Sequence, residues 1–427
     1  MKITRMRVQN FKSFREVDIT FGDMNVVIGS NAAGKSNITD IIRFLRDVES
    51  WGLDSAISLQ GGCDYMLNLG LGTRDPFYVE IEIERNAERG RFLPESVSFK
   101  GKRVGIKLDK FCIKLGIDFE GDGYKILNNQ VDISYSLETL EMIDEPGEVN
   151  ARGDESVGEV ILVLKIEDDD LVYELSVPES IAFEMDDLIP EFFLKDNADA
   201  SRPLFSSPFI PLLAPFGDHI FKNISIFDFD PKKVKASSLV AGRLSLEEDG
   251  SNLPVVLRDI NKDMERKASF NRYAFDLLAF VKDVNVQENV DRSLVLEVEE
   301  KFNSGKYISS PYISDGTAAA LAFIAAIHFD RSAIKFFEEP ERNMHPSLIR
   351  KVLEHMKSQS YSCQTFLTTH NAEIIRASEI EDVVFVSRSG EGFTVVEKLT
   401  GRDDVIAFLE NEIGLDELYS GNFLSKG

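Results

Sequence analysis

The sequence predicts an α/β fold, and three observations carry that expectation. An apolar strand, Val26-Val27-Ile28, runs into Gly29-Ser30-Asn31-Ala32-Ala33-Gly34-Lys35-Ser36-Asn37 and then into a segment with Ile38, Ile41, Ile42 and Leu45 on one helical face. A second apolar strand, Ala333 to Phe337, delivers Glu338 and Glu339 just ahead of Pro340. Another strand, Cys363 to Thr369, ends at His370-Asn371. Such strands, separated by helix-period segments, imply a parallel sheet, and in parallel sheets ligands gather at the carboxyl ends of the strands.

The first of these pieces is a phosphate loop, Gly29-x-x-x-x-Gly34-Lys35-Ser36. Its glycines let the backbone curl until consecutive N–H groups point inward, with the positive end of the new helix behind them. A triphosphate fits that nest. Lys35 would reach the β and γ phosphates as a point charge, and the Ser36 hydroxyl would hold Mg²⁺. The alternative is a chance glycine turn, and the presence of both the flanking strand and the helix argues against it.

The paired acids suit two tasks, because consecutive strand side chains point to opposite faces. Glu338 would lie near Mg²⁺, and Glu339, at the strand exit, would aim at a water on the γ-phosphate. An imidazole at His370 would hydrogen-bond the same phosphate. Ahead of the acidic strand, Ser314-Asp315-Gly316-Thr317 opens an Ala-rich helix that runs to Phe329. Ser at that place is an ordinary helix cap, and only its position beside the acidic strand gives it functional weight.

The remaining chain supports these pieces. Residues 2 to 9 and Val17, Ile19 and Phe21 alternate as half-buried strands, with a turn at Asn10 to Phe14 between them. Short β-type runs at Phe77–Ile83, Val104–Leu108, Cys112–Phe119, Val160–Ile166 and Leu171–Leu175 point to antiparallel hairpins. Ile224 to Phe229 reads as a strand, Ser251 to Val284 carries a helical period, and a hairpin and a helix follow His370. The 427 residues are expected to divide into an N-terminal lobe, 1–200, a mainly helical insert, 201–304, and a C-terminal lobe, 305–427.

No run is long and apolar enough for a membrane helix, and the start, MKITRMRVQNF, lacks a signal core, so a cytoplasmic protein without a membrane partner is expected. Cys63, Cys112 and Cys363 are dispersed and odd in number, which suits small apolar groups in a reducing compartment. The net charge of −25 concentrates between Asp118 and Glu191, where 22 acidic residues face only Lys125, Arg152 and Lys165. So acidic a protein is a poor nonspecific DNA binder. Local DNA contact is left to Lys232, Lys233, Lys235 and Arg243, followed by Arg258, Lys262, Arg266 and Lys267, where solubilising surface charge is the equal alternative.

In the order phosphate loop, SDGT, EEP and TTH, the chain resembles the P-loop ABC-type ATPase heads of the SMC, RecF and OLD kind. It is most similar to the standalone ATPases of that group found in bacterial defence and toxin–antitoxin-like loci. The resemblance runs through residues 1–75 and 305–427, with an echo at Asp249-Gly250-Ser251-Asn252-Leu253-Pro254. It implies ATP and Mg²⁺ as ligands, and an ABC-type head carrying an antiparallel β region and a helical insert. It implies a homodimer, or a higher oligomer of dimers, joined through ATP, with Ser314, Gly316 and Thr317 facing the nucleotide of the other protomer. Glu338 would match the Walker B acid, Glu339 the general base, Glu341 to His345 the loop crossing the dimer interface, and His370 the switch histidine. Asn10 and Lys12 would contact nucleotide, and Gln60 is a candidate lid glutamine.

Two departures from the family shape the expected function. The long coiled coil is missing, and only 57 residues follow His370, too few for an appended nuclease. The expectation is a slow, partner-dependent ATPase that controls a separate effector, a nuclease or toxin, in anti-phage defence or DNA maintenance. The alternative is a nucleotide-gated scaffold with little turnover.

Overall fold

The computed structural model describes residues 1–85, 91–94, 97–121, 123–145, 148–188, 202–207, 210, 220–239, 244–342, 344–410, 413–421 and 423–424, with backbone alone at 91–92, 141–145, 148–154 and 410. Strands β1 (Lys2–Phe11), β2 (Phe14–Thr20) and β3 (Met24–Gly29) open the chain, and helix α1 (Ser36–Trp51) follows. Next come β4 (Phe77–Glu84), β5 (Lys102–Glu120), β6 (Gly123–Glu145), β7 (Glu148–Glu167), β8 (Asp170–Ser176) and β9 (Ile224–Phe227). Helices α2 (Leu253–Ile260) and α3 (Met264–Leu277) precede β10 (Val281–Glu288) and β11 (Ser293–Glu300). The last third alternates: α4 (Asp315–Ile324), β12 (Ile334–Glu338), α5 (Pro346–Ser360), β13 (Gln364–Thr369) and α6 (Ala372–Arg376). It closes with β14 (Val383–Arg388), β15 (Thr394–Lys398), α7 (Asp403–Glu410) and α8 (Leu415–Ser420).

The expected division at 1–200, 201–304 and 305–427 is not the one the structure adopts. Two compact units form, one from 1–21, 37–223 and 388–396, the other from 22–36, 224–387 and 397–427. The reason is the pairing of β3, which lies in parallel between β13 and β14 from the far end of the chain. Spatial grouping follows that sheet rather than sequence order.

The first unit is an antiparallel sheet in the order β8-β7-β6-β5-β4-β1-β2. β4 alternates buried and half-buried residues, as one covered face requires. Phe77 on that face meets Phe11 at 5.9 Å and Phe44 of α1 at 5.4 Å, ring centre to ring centre, so the apolar stripe of α1 is buried on the sheet. The two short strands expected at Val104–Leu108 and Cys112–Phe119 are one strand, β5, whose register shifts between Leu108 and Lys110. A bulge absorbs the polar Asp109-Lys110 pair without ending the ladder. Burial pushes the Cys112 thiol up to about 12.

The second unit is built on a sheet with strands in the order β9-β12-β13-β3-β14. β9, β12, β13, β3 and β14 run parallel. Every residue of β3 and β13 is buried, so neither strand alternates; β3 reads as a largely apolar run, whereas β13 buries three threonines and a glutamine beside Phe366 and Leu367. α4 is buried along nearly its whole length, and Phe323 packs 5.7 Å from Phe337 of β12.

The insert expected to be mainly helical holds α2 and α3 but continues into an antiparallel sheet of β10 and β11 with short strands at Ser238–Leu239 and Tyr307–Ser309. The helical period of 251–284 ends at Leu277, and Val284, Leu294, Leu296 and Val298 are buried as sheet residues. Among the described residues no helix is long and apolar enough to cross a membrane.

Candidate functional site

The parallel register brings three strand ends together. Thr369 lies beside Ile28, and Glu338 beside Thr368, so the exits of β3, β13 and β12 share one edge of the sheet. Gly29 ends β3 where a Cβ would come 2.2 Å from the Val386 carbonyl oxygen of β14; glycine is required there by close approach. The loop then turns through left-handed Ala32 (φ 61°) and Gly34 (φ 107°), and the Ala33 N–H donates to the Ser30 carbonyl at 3.1 Å. Two reversals in five residues leave Ser30 and Asn31 exposed at the rim.

Lys35 turns back into this loop. Its Nζ donates to the carbonyls of Gly29 at 2.8 Å and Ser30 at 3.1 Å, and the residue is only 6% exposed. Burial lowers its pKa, while the charges of Glu339 and Glu341 oppose that shift. A desolvated cation held by two carbonyls is poised to exchange them for stronger anionic partners. Ser36 follows as the first residue of α1.

Glu338 ends β12, half-buried, and Glu339 leaves the strand in the left-handed region at φ 42°. That conformation costs a non-glycine residue about 1 kcal/mol or more, and it breaks the up-and-down alternation of the strand. The Glu339 N–H still donates to the Thr368 carbonyl at 3.0 Å. Its carboxylate lies 3.4 Å from His370 Nδ1 through one oxygen, and accepts from Arg342 Nε at 2.8 Å through the other. Burial would raise the Glu339 carboxyl, but Arg342, His370 and Lys35 outweigh it and hold it below the ordinary value. Glu339 is therefore ionised at neutral pH.

Three further residues at this site carry no motif of their own. Glu341, 8% exposed, accepts from the Thr369 hydroxyl at 2.6 Å and the His370 N–H at 3.3 Å, and lies 3.9 Å from His370 Nδ1. Its second oxygen, Oε2, is buried with no hydrogen-bond partner among the described residues. Arg342 bridges Glu339 to Asp228, which it meets at 2.8 Å. The sequence marks Glu341 and Arg342 only as parts of the expected interface loop. Asp228 lies 114 positions away from Arg342, and nothing local signals it.

The donor set fits Mg²⁺ and a triphosphate. A hydroxyl at Ser36 and a carboxylate at Glu338 are hard oxygen ligands of the kind Mg²⁺ takes. The curled loop with its buried ammonium fits phosphate oxygens.

The other expected residues fall elsewhere. Ser314 caps α4: its hydroxyl accepts from the Thr317 N–H at 3.1 Å, and the two hydroxyls lie 2.8 Å apart. Asp315 is ion-paired with Lys235. Ser314, Gly316 and Thr317 line a cleft of about 720 Å³ with Phe280, His345 and Lys351; Lys35, Glu339 and His370 do not line it.

In the first unit, Lys12 pairs with Asp40 of α1 at 2.5 Å, and Asn37 donates to the Ser13 hydroxyl at 2.5 Å. Asn10 holds the carbonyls of Gly72 and Asp75. Gln60 ends the short helix Leu53–Leu59. Of the candidate DNA-contacting residues, Lys233, Lys235, Arg258, Lys262, Arg266 and Lys267 are each ion-paired to an acid, which blunts the basic track. Arg243 lies outside the described residues.

Comparison with known proteins gives matches along most of the chain. A family model described as "AAA domain, putative AbiEii toxin, Type IV TA system" matches residues 127–376, and one described as "AAA ATPase domain" matches residues 1–177. The chain is 26% identical over 386 residues to Endonuclease GajA of Bacillus cereus (strain VD045), across 88% of this chain and 56% of that protein. It thus spans about half the length of that curated relative. Solved structures with similar folds include an SMC head bound to the C-winged helix domain of ScpA, at 16% identity and TM-score 0.48. That likeness covers 94% of this chain and 99% of the other. The SMC head domain from Thermotoga maritima aligns at 14% identity and TM-score 0.40, across 93% of this chain and 99% of its own. With more than half of its length matched by the first model, and residues 1–177 by the AAA ATPase model, the chain belongs to the AAA-domain family.

Proposed function

We propose that the chain binds Mg-ATP and hydrolyses it as a homodimer whose closing and opening controls a separate effector, a nuclease or a toxin, in bacterial anti-phage defence or DNA maintenance. The observation that carries this reading is the convergence of Lys35, Glu339, Glu341 and His370 at the ends of adjacent parallel strands. Lys35 gives up its two carbonyls for the β and γ phosphates. Glu339, already ionised and fixed by its strained backbone, takes a proton from the attacking water. His370 orients the γ-phosphate oxygens from the neighbouring strand end. Mg²⁺, held by Ser36 and Glu338, would neutralise charge on the phosphate oxygens. The chain's part is positioning and electrostatics, with no covalent step.

The second half of the site is the cleft at Ser314, read as the surface that meets the nucleotide of the partner copy. The effector reading draws on the longer relative, which is named an endonuclease. Phosphate release by wild-type protein and by Glu339→Gln tests the enzyme reading. Loss of a general base predicts a drop of about 10²–10⁴-fold with nucleotide still bound.

One observation favours a second reading, a nucleotide-gated scaffold with little turnover. Arg342 holds Glu339 and Asp228 together, which keeps the base engaged. Wild-type protein that binds ATP but releases phosphate no faster than Glu339→Gln would select the scaffold.

A further inference from the structure

The carbonyl that begins the phosphate loop is held from the far end of the chain. Tyr419, on α8, donates its hydroxyl hydrogen to the Gly29 oxygen at 2.9 Å. Lys35 Nζ donates to the same oxygen at 2.8 Å. One carbonyl with two lone pairs therefore serves two side-chain donors. The Tyr419 phenol is half-buried, and burial, followed by the charge of Glu341, raises its pKa. It keeps its proton, and with it the ability to donate.

The same short helix grips the segment behind His370. Asp416, 5% exposed, accepts from Arg376 of α6 at 3.0 Å through Nε and 2.6 Å through Nη2. α6 begins two residues after His370, with Asn371 as its cap. Leu415 and Leu418 anchor α8 in the core of the second unit. A helix of six residues thus touches the first carbonyl of the phosphate loop through one side chain and the helix after the switch histidine through another.

The consequence follows from the proposed exchange at Lys35. When Lys35 moves to phosphate, the Gly29 carbonyl loses one side-chain donor, and Tyr419 is the one that remains among the described residues. A buried carbonyl left short of a partner costs free energy, so the phenol matters more with nucleotide present than without it. We infer that Tyr419 is a positioning residue for nucleotide binding, and that α8 couples the phosphate loop to the helix following His370. This inference rests on the reading of the loop as an ATP site.

The test uses the full chain as wild type, Tyr419→Phe and Asp416→Asn. It measures Mg-ATP affinity by calorimetry, steady-state kcat and KM, and unfolding temperature with and without nucleotide. Loss of one neutral hydrogen bond in Tyr419→Phe should weaken Mg-ATP binding by about 3–10-fold. The change should appear in KM with kcat held within about twofold, and the unfolding temperature without nucleotide should stay near wild type while its rise on adding Mg-ATP shrinks. Asp416→Asn should weaken binding in the same direction.

A Tyr419→Phe protein that binds Mg-ATP as wild type does, or that loses affinity only in step with its nucleotide-free stability, would overturn the inference and leave the ATP site standing. Wild-type protein with no affinity for Mg-ATP would remove the site and the inference together.

Discussion

The two ends of the second unit that carry motifs are built on opposite principles. Around the phosphate loop, most polar groups are engaged within the chain: Lys35 by carbonyls, Glu339 by Arg342 and His370, and one oxygen of Glu341 by Thr369 and the His370 N–H. Around Ser314 the capping hydroxyl is spent on its own helix, and the residues border an open cleft of about 720 Å³. The first region has the charge and the strained backbone of a reaction centre. The second has the shape of a receiving surface. Under the proposed function, this contrast corresponds to a site shared between two copies, with chemistry on one face and a docking wall on the other.

The largest effect that would break this contrast is at Lys35. Lys35→Ala should abolish detectable Mg-ATP binding and reduce phosphate release by at least about 100-fold, as loss of a buried charge partner does elsewhere. Calorimetry and phosphate release measure both. Ser314→Arg, by comparison, should leave Mg-ATP binding within about threefold while phosphate release falls by about 100-fold, because only the receiving wall is blocked. Equal loss of binding in the two variants would put Ser314 in the binding nest and dissolve the distinction.

A smaller effect sharpens the fold side of the comparison. Gly29→Ala places a methyl 2.2 Å from the Val386 carbonyl, and strands β3 and β14 must part to admit it. Denaturant unfolding should show a loss of about 2–3 kcal/mol.

The smallest effect lies in a histidine pair away from the loop. His328 stacks on Tyr273 at 3.7 Å and shares a 2.7 Å hydrogen bond with His355, which in turn reaches Asp276 at 2.8 Å. Burial, then the neighbouring His355 and Lys335, push His328 down from 6.5 to about 4. The unfolded chain takes up its proton near pH 6.5 and the folded chain does not, so this contribution is complete above 6.5 and is lost as the pH falls towards 4. The loss should be on the order of 2 kcal/mol, reduced from the full shift because the ring is partly exposed. His328→Phe should flatten that slope in unfolding measured between pH 7 and pH 4.5.

How much of this was legible in the sequence depends on locality. The strand, loop and helix at 24–51, the acids at the end of β12 and the histidine after β13 were legible because each sits where a short buried strand stops, with its marked residues at that end. β6 was not, because 23 residues of mixed polar and acidic character hide a strand whose partners lie on both sides. The insert misled because the helical period of α3 gives way to sheet with no glycine or proline to mark the change.

At the site, Asp228 with Arg342, and Tyr419 with Gly29, are contacts across 114 and 390 positions. Each residue is ordinary in its own neighbourhood. The pairing of β9 with β12 brings Asp228 to Arg342, and the placement of α8 brings Tyr419 to Gly29.

The most direct test of the shared site is the mass in solution of Glu339→Gln protein with and without Mg-ATP. The account predicts that the 48.0 kDa chain moves to twice its nucleotide-free assembly when Mg-ATP is added, and that Ser314→Arg introduced into the same protein prevents the change. An unchanged mass at saturating Mg-ATP would contradict it.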